Sequence, residues 1–265
     1  MSTISSPASI LITGATGGLG RALALAYAAP ATTLILHGRD AAKLTALQNE
    51  CEQRGARVIP LVLDLRDCEK LIATLSALSV TTPIDLAIVN AGVTNVVGTS
   101  EDGGVESWPD IERVLDTNIH AALATVSALL PSMRSRRQGQ IALISSLAAY
   151  AGMPVTPAYC ASKAALKIYG EAMRGTLARE GIAINVVLPG FVETPMSEKF
   201  TAPKPFLLSA DNAAQRIKTG LAKNRARIGF PLPLALGMWL LAVLPPAWSQ
   251  AVLRVLGFAG ARRAR

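Results

Sequence analysis

The chain has 265 residues, of which 51% are hydrophobic and 17% are charged. This length and composition exclude a disordered, collagen-like or disulfide-stapled chain and suit one α/β domain with a sizeable core. The three cysteines are widely spaced and form no CxxC pair, which predicts a reducing compartment and no metal site. The first residues lack the basic start and long apolar run of a secretory signal, so we expect a cytoplasmic protein.

The net charge of +8 is concentrated at one end of the chain. Residues 1–211 hold 17 Lys and Arg against all 18 acidic residues, whereas residues 212–265 hold nine basic residues and no acidic one. This end is as apolar as it is basic and lacks the interleaved aromatics of a nucleic-acid groove, so we expect no nucleic-acid partner. The charge indicates an anionic surface instead, such as the inner face of a membrane.

Short apolar runs alternate with longer helical patterns along the first 230 residues. The predicted strands are 9–13, 33–37, 58–63, 85–89, 140–144 and 184–188, with 226–230 as a candidate seventh. The predicted helices are 19–29, 40–54, 67–78, 105–137 (broken by Pro109 and Pro131) and 158–179. Near-continuous apolar strands separated by helices predict a single Rossmann-like, doubly wound parallel sheet with helices on both faces. We divide the chain into a domain over 1–230 and an apolar, basic helical tail over 231–265.

A glycine-rich turn separates the first strand from its helix, and it reads Thr13-Gly14-Ala15-Thr16-Gly17-Gly18-Leu19-Gly20. Glycines at this place let the backbone approach a pyrophosphate, and the helix N-terminus offers unpaired N–H groups to it. The spacing is GxxxGxG, which differs from the GxGxxG of the common dinucleotide fingerprint and from a P-loop. The alternative is a plain glycine-rich turn.

The residues after the second strand bear on the choice of cofactor. A dinucleotide fold that binds NAD usually places an acid there for the ribose 2′-hydroxyl. Here Gly38 and Arg39 occupy the place, and a guanidinium can hold a 2′-phosphate through paired, charge-assisted hydrogen bonds. Asp40 is expected to cap the next helix. The sequence therefore predicts NADP, with NAD as the less favoured cofactor.

Tyr159 and Lys163 lie four residues apart on a predicted helix and so share one face. An unperturbed tyrosine titrates near pH 10, and a neighbouring ammonium lowers that value and makes the phenol a usable acid or base. Exposed Tyr–Lys pairs are also ordinary neighbours on helix surfaces, so this pair alone does not establish catalysis.

Taken together and in order, the motifs indicate a protein family far more specifically than any one of them does alone. The glycine turn, Asn90-Ala91-Gly92, Ser145-Ser146, the Tyr159/Lys163 pair and the segment from Pro189 to Thr194 occur in this order. With Asn118 on the long helix, they resemble the short-chain dehydrogenase/reductase family over roughly residues 8–196. The resemblance implies an oxidoreductase that transfers hydride between NADP(H) and a carbonyl or alcohol group.

The resemblance also implies a role for each matching residue. Tyr159 would be the general acid in carbonyl reduction and the base in alcohol oxidation, and Lys163 would lower its pKa and hold the nicotinamide ribose. Ser146 would hydrogen-bond the substrate oxygen, and Asn118 would complete a proton relay through a water near Lys163. The implied cofactor-binding residues are Gly14, Thr16, Gly17, Gly18, Leu19, Gly20, Arg39, Asp64, Leu65, Asn90, Ala91, Gly92, Tyr159, Lys163, Pro189, Gly190, Val192 and Thr194. His37 and His120 have no ligand spacing, and we expect them to be solvated or core histidines.

The tail departs from the family pattern. Residues 230–248 carry no charge, but the prolines leave only 234–244 as an uninterrupted helix, about 16 Å long against about 30 Å of hydrocarbon. With a second apolar segment at 248–258 around Arg254, it predicts a pair of helices lying in a membrane surface. The alternatives are that the tail covers a hydrophobic groove or a subunit interface, since family members are commonly dimers or tetramers.

These observations predict an NADP-dependent oxidoreductase of a small, lipophilic carbonyl or alcohol substrate, with reduction of the carbonyl as the expected direction. We expect the tail and residues 198–211 to form part of the substrate lid. The alternative function is a catalytically silent NADP-binding sensor or scaffold at a membrane surface.

Overall fold

The computed structural model describes residues 7–96, 105–200 and 203–258. Within these residues seven parallel strands form one sheet in the order β3-β2-β1-β4-β5-β6-β7. The strands are β1 (Ser9–Ile12), β2 (Thr33–Gly38), β3 (Arg57–Val62), β4 (Leu86–Val89), β5 (Gly139–Ile144), β6 (Ile182–Pro189) and β7 (Arg227–Phe230). The predicted strands are thus confirmed, including the candidate seventh.

The helices connect successive strands or follow the last one. They are α1 (Gly18–Tyr27), α2 (Ala41–Glu52), α3 (Cys68–Thr81), α4 (Trp108–Leu115), α5 (Ala121–Arg136), α6 (Pro157–Ala178), α7 (Pro195–Glu198), α8 (Ala210–Ala222), α9 (Leu232–Val243) and α10 (Pro246–Val255). A π-helical segment (Asp116–His120) joins α4 to α5, and a 3-10 turn (Leu147–Ala149) follows β5.

Apolar side chains cover the sheet on both faces. Successive residues of a strand point to opposite faces, and on β1 Ile10 and Ile12 join a core cluster with α1, α2 and α8, while Leu11 joins the cluster under α3 and α5. The chain winds outward from β1 on one side and from β4 on the other. In such a sheet ligands bind at the carboxyl ends of the strands where the winding reverses, which here is the crevice between β1 and β4.

The predicted breaks in the helix over 105–137 are wrong. Pro109 lies in the first turn of α4, where its missing N–H has no helical partner to lose, and Ser107 caps that turn. Pro131 lies inside α5, which continues to Arg136 because the helix is held by a buried apolar face and loses only one backbone hydrogen bond there. The regular helix is interrupted instead by the π-helical segment over Asp116–His120.

The helices α9 and α10 pack at the carboxyl end of the sheet rather than standing apart from it. Their buried side chains Met238, Leu241 and Leu253 join a third apolar cluster with Leu188 of β6. The ring of Phe258, after α10, stacks on Phe191, with 6.3 Å between the ring centroids. No described helix is long and apolar enough to cross a membrane. The division of the chain at residue 230 stays a prediction.

Candidate active site

The glycine turn is locked against the end of β4. Gly14 has a φ of +64°, and a Cβ added there would lie 2.9 Å from Ala91 Cα. A Cβ added to Gly20 would lie 2.1 Å from the carbonyl oxygen of Gly14. The Asn90 amide donates to the carbonyl oxygens of Thr13 and Gly14 at 3.0 and 3.2 Å, which fixes the turn to the next strand of the sheet.

The N-terminus of α1 is left open by this turn. Its N-cap residue, Gly17, has no side chain to bond the first N–H groups of the helix. A Cβ at Gly18 would meet Thr194 Cγ2 at 2.7 Å, and one at Gly38 would meet Thr16 Cγ2 at the same distance. The bare backbone and the unpaired helix amides therefore form a cradle that fits the pyrophosphate of a dinucleotide.

His37 supports the glycine turn from behind. The Gly14 N–H, which can only donate, is 3.1 Å from Nδ1, so Nε2 carries the proton and donates to the carbonyl oxygen of Leu63 at 2.9 Å. The ring is buried, and burial lowers its pKa. The sequence expectation of a solvated or core histidine missed this role, because its partners follow β1 and β3, which are separate in sequence.

Replacing His37 by alanine is expected to lower the free energy of unfolding by about 2–4 kcal/mol, since it opens a cavity and leaves two backbone groups unpaired. Binding of NADPH is expected to weaken as well. Urea unfolding and a fluorescence titration with NADPH measure the two effects. The matched control is His120→Ala, because His120 is exposed and pairs with Asp116. Equal losses in both variants would contradict the role.

The neutral state of His37 also makes stability depend on pH. The unfolded histidine binds a proton below its ordinary pKa of 6.5, whereas the folded one, with a lowered pKa, does not. The contribution is therefore present above about pH 6.5 and is lost as the pH falls toward the folded pKa. Urea unfolding of the wild type and His37→Ala at about pH 7.5 and about pH 5.5 tests this: only the wild type should lose the histidine-dependent part.

Three predicted catalytic residues meet at the carboxyl end of β5 and the start of α6. Tyr159 and Lys163 lie one turn apart on α6, and Lys163 Nζ is 5.6 Å from the centroid of the Tyr159 ring. Lys163 Nζ also donates to the carbonyl oxygen of Ile144 at 2.8 Å. The hydroxyl of Ser146 lies near the Tyr159 phenol, donates to the carbonyl oxygen of Pro189 at 3.4 Å and accepts from the backbone N–H of Ala148 at 3.1 Å.

Burial is the largest cause of the pKa shifts of Tyr159 and Lys163. It raises the pKa of Tyr159 to about 12, and the hydrogen bond from Ser146 offsets only part of that rise. It lowers the pKa of Lys163 to about 8. The expected lowering of the Tyr159 pKa by Lys163 is therefore not found, because the loss of water around the phenol raises the pKa instead. At neutral pH the phenol keeps its proton, which is the form that a proton donor needs.

Asn118, the fourth predicted catalytic residue, is fully buried on the π-helical segment. Its side-chain oxygen accepts from the Val93 N–H at 2.8 Å, and its amide donates to the Val93 carbonyl oxygen at 3.0 Å and to Ser162 Oγ at 2.9 Å. A Cβ at Gly92 would lie 3.2 Å from Lys163 Nζ and 3.3 Å from Asn118 Oδ1. Asn118 thus ties the segment after β4 to the helix that carries Tyr159.

One cavity of about 1240 Å³ brings these parts together. Ser146, Tyr159 and Lys163 line it, and so does every predicted cofactor-binding residue from Gly14 to Thr194. The Asp64 carboxylate at its edge is held by Arg66, whose hydrogen bonds lower the pKa of Asp64 to about 2.

The far wall of this cavity comes from the C-terminal helices and the segment before α8. The lining side chains there are Phe200, Pro203, Lys204, Pro205, Leu234, Met238, Leu240, Leu241, Leu244, Val252, Leu253, Val255, Leu256 and Phe258. A Cβ at Gly190 would lie 2.9 Å from Leu234 Cδ2, so α9 closes directly over the turn after β6. Apart from Lys204, this wall is apolar.

A family model described as short chain dehydrogenase matches residues 8–205. The chain belongs to the short-chain dehydrogenase/reductase family. An uncharacterized oxidoreductase of Myxococcus xanthus is 34% identical over 247 residues, which cover 93% of this chain and 96% of that protein. A ketoacyl reductase of Nostoc sp. is 34% identical over 220 residues, covering 82% of this chain and 75% of the relative.

Solved structures share the same fold. A short-chain dehydrogenase from Sphingobium yanoikuyae, in complex with NADPH, aligns over 97% of both chains with a TM-score of 0.78 and 24% sequence identity. That alignment extends past residue 205, where the match to the short-chain dehydrogenase/reductase family model ends, and so includes most of the C-terminal helices.

Proposed function

We propose that the protein uses NADPH to reduce the carbonyl group of an apolar substrate. The observation that carries this proposal is the position of Ser146, Tyr159 and Lys163 in one cavity, between the glycine cradle and an apolar wall. The cradle suits a dinucleotide, the three side chains suit proton transfer to an oxygen, and the wall suits a hydrocarbon body.

The side chains of this site supply the proton and hold the reacting oxygen. A bound nicotinamide supplies the hydride for the carbonyl carbon. The hydroxyls of Ser146 and Tyr159, which line the same cavity, bind the carbonyl oxygen, and Tyr159 gives its proton to that oxygen as negative charge develops there. The Lys163 ammonium beside the ring favours the phenolate that remains. Alcohol oxidation is the same sequence in reverse.

The first test is consumption of NADPH with a series of ketones of rising chain length. We expect turnover to increase with chain length because the far wall buries each added methylene, by about 0.8 kcal/mol per group. Tight NADPH binding without turnover of any ketone would overturn this function and favour the sensor or scaffold. The Ser146, Tyr159 and Lys163 arrangement speaks against that alternative, since a protein that only binds the cofactor needs no proton donor.

The preference for NADPH rests on Arg39. It is exposed, borders the cavity beside Gly38, and makes no hydrogen bond or ion pair with another described residue. The nearest acid in sequence, Asp40, accepts from the Lys43 N–H at 3.1 Å as the N-cap of α2, as the sequence predicts. The guanidinium is therefore the group at this place that suits a 2′-phosphate.

Replacing Arg39 by alanine is expected to raise the KM for NADPH by about 10- to 100-fold, because a hydrogen-bonded charge contact contributes about 1.5–3 kcal/mol. The KM for NADH should change little. Steady-state kinetics with both cofactors measure this. The control is Arg57→Ala, which changes an exposed arginine at the start of β3, whereas Arg39 follows the end of β2. If Arg39→Ala loses as much affinity for NADH as for NADPH, the assignment of Arg39 to the 2′-phosphate is wrong.

The rate of carbonyl reduction is expected to fall as the pH rises through about 8, since Lys163 then loses its proton. Tyr159, with a pKa of about 12, stays protonated throughout that range, so its titration adds no second fall. A pH profile of kcat/KM for NADPH-dependent reduction measures this. A profile that stays level up to about pH 10 would show that the charge of Lys163 does not contribute.

A further inference from the structure

Helix α9 is apolar on two opposite sides. Its inner side chains, among them Met238 and Leu241, are buried in the third apolar cluster. The outer row is Leu232, Leu236, Trp239 and Val243, whose side chains are between 49% and 66% exposed. Their spacing of four, three and four residues places them along one face of the helix. A helix that is apolar all round is normally buried on all sides, so the outer row needs a covering partner.

Helix α10 continues this surface. It buries Ser249 and Leu253 and exposes Trp248, Val252 and Val255, again at spacings of four and three residues. Of the 17 exposed large apolar side chains in the described residues, nine lie within residues 232–256. We call these nine the outer face, and they are Leu232, Leu236, Trp239, Leu240, Val243, Trp248, Val252, Val255 and Leu256.

The basic charge of residues 212–265 indicates what kind of partner covers the outer face. Asp211 is the last acidic residue, and nine basic residues follow it. One of them, Arg254, is exposed on α10 next to Val255 of the outer face. Arg254 is a basic side chain beside the outer face, and an anionic surface complements its charge, whereas a second copy of the same face would bring no acidic side chain to it. Exposed tryptophans beside basic side chains are typical of segments that lie in a membrane interface.

We propose that the outer face of α9 and α10 docks on an anionic lipid bilayer and lies in one leaflet. The twelve residues of α9 are about 18 Å long, too short for the roughly 30 Å of hydrocarbon, so the helix lies along the surface. Its inner side stays packed on the sheet, which keeps the active site assembled while the outer side is in lipid.

Part of the docking face also lines the cavity. Leu240, Val252, Val255 and Leu256 belong to the outer face and at the same time line the cavity. An apolar molecule dissolved in the leaflet would therefore reach the catalytic residues without crossing water. This part rests on the proposed function, whereas the docking itself does not.

Sedimentation with vesicles tests the docking without cofactor or substrate. We expect the full chain to sediment with vesicles of phosphatidylcholine and phosphatidylglycerol, and much less with phosphatidylcholine alone. Trp239→Ser with Trp248→Ser should weaken partition by at least about tenfold, because each ring is lost from the outer face. The matched control is Trp108→Ser, which changes a tryptophan on α4 that is as exposed as Trp248. Thermal unfolding of each variant confirms that it is folded.

The tryptophans provide a second readout. In a Trp108→Phe background the remaining tryptophans, Trp239 and Trp248, both belong to the outer face. Their emission should shift to the blue when anionic vesicles are added. Unchanged emission, with protein remaining in the supernatant of both vesicle types, would overturn the proposal. So would a dimer in solution that the double serine variant converts to a monomer, since the outer face would then be a subunit interface.

The delivery of substrate from lipid has its own measurement. The double serine variant should keep its activity on a short, water-soluble ketone and lose activity on a long-chain ketone presented in anionic vesicles. Equal activity of variant and wild type on the vesicle-borne ketone would overturn delivery. Inactivity of both proteins on every ketone would instead refute the proposed function and leave the sedimentation result to decide the docking.

Discussion

Tyr159→Phe is expected to lower the rate of NADPH-dependent carbonyl reduction by about 10³-fold, because general acid catalysis contributes about 10²–10⁴. The change removes only the phenol oxygen and keeps the ring that lies beside Lys163. NADPH binding should therefore remain within about twofold of the wild type, as expected for a group that acts on the transition state. Stopped-flow and steady-state rates, with a separate NADPH titration, distinguish lost chemistry from lost binding.

Tyr150→Phe is the matched control for this experiment. Tyr150 also lies beside a lysine, with Lys167 Nζ 5.3 Å from its ring centroid, but it does not border the large cavity. Its hydroxyl should therefore be dispensable for reduction. If the Tyr159 variant keeps more than about a tenth of the activity, another group donates the proton and the proposed mechanism is wrong.

Gly20→Ala is expected to abolish measurable NADPH binding and to destabilise the fold by about 3 kcal/mol or more, as overpacking of a rigid backbone contact does. The new methyl group would lie 2.1 Å from the Gly14 carbonyl oxygen and 2.8 Å from the Asn90 amide nitrogen. Neither atom can retreat easily, because that amide also holds the turn to β4. Thermal unfolding and a fluorescence titration with NADPH measure both effects.

Gly175→Ala is the control, and it should raise the stability of the fold rather than lower it. Gly175 lies in α6 with no atom within 4 Å of an added Cβ, and alanine in an exposed helix stabilises by about 0.5–1 kcal/mol relative to glycine. NADPH binding should be unchanged. If Gly20→Ala binds NADPH as tightly as Gly175→Ala does, the glycine turn does not form the cofactor site.

The order of strands and the cofactor cradle could be predicted from the sequence because both depend on local signals. Apolar runs mark buried parallel strands, and the glycines of the turn stand where backbone must approach a ligand. Even Asp40 as the cap of α2 follows from one residue type at one place. The helix break predicted at Pro131 fails for the opposite reason, since packing overrides a local preference in α5. The break predicted at Pro109 fails because that residue lies in the first turn of α4, where proline fits.

Features that depend on distant partners could not be predicted. His37 bonds groups that follow β1 and β3, and nothing in its own neighbourhood in the sequence indicates them. The pKa of Tyr159 is governed by how completely the fold removes water, whereas the sequence shows only the neighbouring Lys163. The sequence predicts a tail that lies in a membrane surface, or else covers a groove or a subunit interface. It does not show which side chains pack on the fold and which stay exposed, because that depends on partners elsewhere in the chain.

The π-helical segment at Asp116–His120 amounts to one residue inserted into an otherwise continuous α-helix. Each residue of an α-helix advances the direction of its side chain by about 100°, so the extra one offsets the facing of α4 from that of α5. This offset lets α5 bury Ala122 and Leu129 in the core while Asn118 turns toward Val93 and Ser162. A uniform α-helix would point Asn118 to the same side as Ala122 and Leu129. The inserted residue therefore allows Asn118 to bond its partners while α5 keeps its apolar side chains in the core.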